Sequence, residues 1–290
     1  MTFPFVLLDD STDLIIGHCT DIVGLDGTVI NPEESYHQII LKHFVFSHEF
    51  QQYILQKKEP LSRYAYVGML NKDDHTIGYY GFFIHDTIKY HKLGFPTLAS
   101  DLKLNVSIHR LISAQELQIW DQWRISLPTT LNQWATYDEN GRRAWLSVVK
   151  SHNNMNITTE IVEKTNDINE DQAKTFQMDG TYMTSYASFF CALGEAMNGP
   201  GGYYGSDFNS FIDCTYGGFG AIAPFTLKWA NHQVARSYLD NNAWHREIDW
   251  LRAENERLGE EDFEVEIGNR PLYEAIIENL EHQGITVILQ

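Results

Sequence analysis

The second half of the chain alternates strand-like and helix-like segments in an order that few folds can satisfy. Residues 174–178 read as a strand, Asp179 and Gly180 as a turn, and Ser185 as the start of a helix. That helix carries its apolar residues at helical spacing: Tyr186, Phe189, Phe190, Leu193 and Met197. A Gly/Pro loop (198–202) leads through Tyr203, Tyr204 and Gly205 into a short helix starting at Ser206 or Asp207. Residues 224–229 form the next strand. Pro271 then suits the first turn of a helix whose face is Leu272, Ala275, Ile276, Asn279 and Leu280, and Gly284 can end it. Residues 285–289 are nearly all apolar, as expected of a strand buried on both faces. Strands separated by helices imply a small parallel sheet covered by helices, an α/β arrangement.

The first half has a different rhythm. Residues 3–8, 13–16, 64–70 and 76–84 are short runs rich in β-branched and aromatic side chains, which favour strands. Between them, 34–55 carries Ile39, Phe44, Phe46, Phe50, Ile54 and Leu55 at intervals that predict a helix. Ser113 and Glu116 fit a capping box opening a helix through Leu117, Ile119 and Trp120. This predicts an α+β domain over 1–150. The polar stretch 151–173 reads as a linker, with 157–162 open to being one more strand. A chain of 290 residues accommodates two domains comfortably.

Charge narrows the functional classes. There are 39 acidic against 21 basic side chains, and the excess is steeper at the end: net −7 over 1–170 and net −11 over 171–290. Such a surface repels phosphate backbones and attracts basic partners, although acidity alone also serves solubility. The three cysteines, Cys19, Cys191 and Cys214, form no C-x-x-C pair and suggest neither a disulfide framework nor a zinc knuckle. The start of the chain lacks a basic leader and no run of 18 apolar residues occurs, so a cytoplasmic, non-membrane protein is expected. The twelve histidines are scattered, without H-E-x-x-H; the pairs His43/His48 and His85/His91 read as surface or core residues. No G-x-S-x-G and no facing carboxylate pair points to catalysis.

The short helix after the tyrosines is the most informative segment. At 100° per residue, Phe208, Phe211, Ile212 and Thr215 fall in one sector, while Ser206, Asn209, Ser210 and Asp213 fall opposite. An apolar ridge thus faces the core and Asp213 stands outward, one turn after Asn209. The loop before it combines glycines, which let a partner approach the backbone, with tyrosines, which give rigid contact area. That suits a protein interface better than an active site.

The string P-G-G-Y-Y-G-S-D-F-N-S-F-I-D-C, followed by P-F-T-L-K-W and closing with Q-G-I-T-V-I-L, resembles the barstar family over about 174–290. The resemblance implies a ribonuclease-inhibitor domain that makes contact through a Tyr-Tyr-Gly loop and the helix after it. Tyr203, Tyr204 and Gly205 match the loop, and Asp213 matches the aspartate that occupies the nuclease's phosphate site. Asp207 and Phe208 fall at contact positions, and Tyr216 and Gly217 border the interface. Asn209 and Ile212 stand where barstar has an aspartate and a tryptophan, and the late helix's glutamate aligns with Asn279 or Glu278. Residues 241–266 are an insertion, with seven acids in 254–266.

The expected function is that of an immunity protein, which plugs a basic ribonuclease toxin domain and involves no cofactor, metal, nucleic acid or membrane. Two other readings stand beside it: a barstar-fold module for a non-nuclease partner, and an enzyme with its activity in the N-terminal domain.

Overall fold

The computed structural model describes residues 3–27, 30–31, 36–155, 174–258 and 270–290. The chain forms two compact units, Met1–Ser126 and Leu127–Gln290.

In the first unit, β1 (Phe5–Asp9), β2 (Ile15–Cys19), β3 (Asp21–Val23), β4 (Ile30–Asn31) and β5 (Tyr36–Phe46) precede helix α1 (His48–Lys57). Strands β6 (Arg63–Leu70) and β7 (Thr76–Ile84), the short α2 (Tyr90–Leu93), β8 (Ser100–Ile108) and α3 (Ala114–Ile125) follow. All strand pairs are antiparallel, in the order β2-β1-β6-β7-β8-β5, and β2 also pairs with β5, so the sheet closes on itself. Closure removes the open edges of the ring. Inside lie Leu7, Val67, Phe82, Leu104 and Leu41, all buried. Ser113 caps α3 by accepting the Glu116 N–H at 3.1 Å, while the Glu116 carboxylate receives both arms of Arg110 at 2.7 and 2.8 Å.

The helix expected over 34–55 is instead strand β5 followed by α1. Two alternating runs, Ile39/Leu41 and Phe44/Phe46, are buried on the same side of the sheet because the register shifts between Leu41 and Phe44. His43 sits there with φ +48°. One irregular step spaces the apolar residues like helix turns. The helix begins only after Ser47, whose side chain accepts the Phe50 N–H at 3.1 Å.

The second unit starts earlier than composition suggests. A 3-10 turn (Gln133–Thr136) and helix α4 (Glu139–Met155) belong to it, because Trp134, Ala144, Trp145 and Val149 are buried and α4 packs on the next helix. Residues 156–173 of the expected linker lie outside the described residues. Then come β9 (Thr175–Asp179), α5 (Tyr186–Asn198), α6 (Phe208–Thr215), β10 (Thr226–Ala230), α7 (His232–Tyr238), α8 (Asn241–Leu258), α9 (Leu272–His282) and β11 (Thr286–Leu289). The three strands are parallel, in the order β11-β10-β9, with Trp229 opposite Met178 and Leu289. Leu227, Trp229 and Met178 are buried on one face. Contrary to the expectation for 285–289, only Ile285 is buried there: β11 is an edge strand, and Ile288 and Leu289 are exposed. The expected insertion begins with α8, and its part from 259 to 266 lies outside the described residues.

Candidate protein-binding site

Helix α6 starts at a reciprocal cap. Asp207 accepts the Ser210 N–H at 2.8 Å, and the Ser210 hydroxyl accepts the Asp207 N–H at 3.1 Å. The other Asp207 carboxylate oxygen accepts from the Ser206 hydroxyl at 3.1 Å, so this carboxylate is committed to the helix start. Phe211, Cys214 and Thr215 are buried, and Asn209 and Asp213 are exposed on the far side. The buried ridge is turned slightly from the expected one: Cys214 takes a central place and Ile212 is only half-buried. Phe208 is half-buried too, with its ring 5.3 Å from Tyr186 and 5.9 Å from Trp244 of α8. Burial pushes the Cys214 thiol up to about 12, with Asp213 adding to the shift. This helix presents a carboxylate and an amide to solvent from an anchored base.

The loop before α6 is held from several sides. Tyr203 and Tyr204 are only 3% and 0% exposed. The Tyr203 ring packs on Phe219 at 5.5 Å, and the Tyr204 hydroxyl donates to the Ala221 carbonyl at 2.8 Å. Both were expected as contact side chains; in this structure they face inward and build the loop. Burial raises both phenols above their ordinary range. Gly205 has φ +93°, and a Cβ there would meet the Phe211 backbone at 2.7 Å, so only glycine lets the loop lie against the helix. The Asn198 side-chain amide donates to the carbonyls of Tyr203 at 2.7 Å and Phe219 at 2.9 Å, tying the loops on either side of α6 together. From α4, Asn153 donates to the Gly201 carbonyl at 3.3 Å.

Beyond α6, Tyr216 is 78% exposed, and Gly217 follows with φ +123°. In α9, Glu278 forms an ion pair with Arg270, and the Asn279 amide donates to the Ala275 carbonyl at 2.9 Å. Gln283, one turn after Asn279, accepts from Thr215 of α6 at 3.4 Å. The Asn279 row of α9 therefore runs toward the end of α6, and Glu278 has a cationic neighbour.

Two supports were not read from the sequence. Glu195, buried in α5, accepts the Asn132 N–H at 2.8 Å and the Trp134 indole N–H at 3.0 Å. Arg143 of α4 grips Glu247 of α8 with two bonds of 2.7 and 2.6 Å, reaches Glu139 at 2.9 Å, and lies over the Trp250 ring at 4.2 Å. The Glu195 contacts join residues 61 and 63 positions apart and the Arg143–Glu247 pair joins residues 104 apart, so no local pattern announces them. Among the described residues, no three His, Cys, Asp or Glu side chains gather as a metal site, and no helix is long and apolar enough to cross a membrane.

No curated protein and no solved structure shows significant similarity to the chain. Residues 173–268, which hold the stapled loop, helix α6 and most of the parallel sheet, match the family model Barstar (barnase inhibitor), and the second unit therefore carries a barstar-like domain.

Proposed function

We propose that this chain is an immunity protein that neutralises a basic ribonuclease toxin in the cytoplasm. Barstar-type domains are inhibitors rather than enzymes, which suggests a ribonuclease-inhibitor role for the second unit. The observation that carries the finer reading is the placement of Asp213: exposed, one turn from Asn209, on a helix whose other face is locked by Phe211 and Cys214. A ribonuclease binds phosphate in a cluster of cationic donors. A carboxylate held rigidly at that height substitutes for the phosphate, each charge-assisted hydrogen bond contributing about 1.5–3 kcal/mol.

In this reading Asn209, Asp213, Tyr216, Gly217 and the half-exposed Ile212 and Phe208 meet the toxin. Tyr203, Tyr204, Gly205 and Asp207 set the loop and helix in place. Glu278 joins the rim after exchanging Arg270 for a toxin cation. The acidic excess of the second half speeds encounter with a basic partner.

The test is RNA cleavage by a basic ribonuclease domain encoded beside this chain. Equimolar protein should abolish cleavage, and Asp213→Ala should require a large excess to do the same. Undiminished cleavage with excess wild-type protein would remove the inhibitor reading.

A further inference from the structure

The outer wall of the first unit carries an aromatic face that the barstar-like unit does not explain. Along β6 and β7, Ala65, Val67, Tyr80, Phe82 and Ile84 are buried, so the alternate residues point outward. These include Tyr64 and Tyr66 on β6, and Tyr79 and Phe83 on β7, the last two 37% and 36% exposed. The register sets Tyr64 beside Phe83 and Tyr66 beside Gly81. The Tyr64 ring lies across Gly81, where a Cβ would strike it. Ring centroids are 5.2 Å apart for Tyr64 and Tyr66 and 6.0 Å for Tyr66 and Tyr79, continuing to His109 at 6.2 Å from Tyr64.

Carboxylates border this ladder. Burial raises the Tyr64, Tyr66 and Tyr79 phenols above their ordinary range, and the nearby charges of Asp10 on the first two and Asp13 on the third add to it. Both aspartates are exposed. We propose that this face binds a polypeptide segment bearing arginine or lysine side chains, seated against the outward tyrosine rings and drawn by Asp10 and Asp13.

The charge favours this occupant. Ring faces attract cations, and the adjoining carboxylates strengthen that attraction while repelling phosphate. The ring geometry agrees. Interplanar angles of 71° and 58° turn successive rings in different directions, so they present separate ring faces and edges rather than a flat platform for a base or a sugar. Guanidinium and ammonium groups on flexible stems can reach such differently turned faces.

The probe is a fluorescent hexa-arginine peptide titrated with the full chain and read by anisotropy. Tyr79→Ser and Asp10→Asn should each weaken binding about fivefold or more. Glu49→Gln on α1 and Glu281→Gln on α9 should leave it within about twofold, since they alter only the overall field. Thermal melts matching wild type establish that the variants are folded, and Tyr66→Phe offers a second, milder substitution expected to fall between. Equal weakening by all the acid-removing variants would show a diffuse field and overturn the proposal, as would unchanged binding by Tyr79→Ser. Tighter binding of oligo-dT or cellohexaose to the same face would overturn it too.

Discussion

The Tyr204 hydroxyl donates a 2.8 Å hydrogen bond to the Ala221 carbonyl, joining the loop that enters α6 to the loop that leaves it. With Asn198 bridging Tyr203 and Phe219, the helix is clamped at both ends before any partner arrives. A partner then meets an ordered surface and loses little on ordering it. Tyr204→Phe keeps the ring and leaves a buried carbonyl without its donor, so urea unfolding should show a loss of about 1–2 kcal/mol. Stability equal to wild type would mean that the clamp is held elsewhere.

Arg143 ties α4 to α8 through Glu247, and both are nearly buried. Arg143→Ala strands that carboxylate and should cost about 3–5 kcal/mol. Replacing Arg143 and Glu247 together by methionine and leucine should recover most of it. A single variant as stable as wild type would contradict this account of how α4 is held.

Burial raises the Glu195 carboxyl above its ordinary range, against the pull of the Asn132 and Trp134 donors. The folded state therefore holds this proton more tightly than the unfolded chain. Acidification through the raised value favours folding at this site, and the cost of the buried charge is fully present above it. Glu195→Gln should compare best with wild type in neutral to mildly alkaline solution and lose ground as acidification approaches the ordinary carboxylate range. A stability difference independent of pH would refute it.

The cysteines should be inert in the folded chain. Burial lifts the Cys19 and Cys214 thiols to about 12 and raises Cys191 well above its ordinary value. Iodoacetamide near about pH 8 should label Cys19, Cys191 and Cys214 only after unfolding, because the thiolate is the reactive form. Rapid labelling of native protein would show that one of these sites opens.

The second unit was legible because its signals are local. Ser185 and Asp207 act as helix caps within their own turns, and residues 208–215 carry their burial as a stripe. The first unit hid its form in long-range pairing. Closure depends on Gly17 meeting Phe46, and the irregular step at His43 disguised β5 as a helix. The plain alternation of Leu102, Leu104, Val106 and Ile108 in β8 carried a strand signal that the expected strands omit. At the site, helical geometry placed Asn209 and Asp213 outward, where they are. Resemblance to a binding loop could not tell that Tyr203 and Tyr204 point inward, because loop burial is set by Phe219 and Ala221 farther along the chain.

The central claim is that Asp213 takes the place of a phosphate in the nuclease cleft. Competition between this chain and a 3′-mononucleotide for the purified toxin tests it most directly. The account predicts mutually exclusive binding: saturating nucleotide should lower the apparent affinity of wild-type protein and have much less effect on the already weakened Asp213→Ala variant. Formation of a stable ternary complex of toxin, nucleotide and wild-type protein would contradict it.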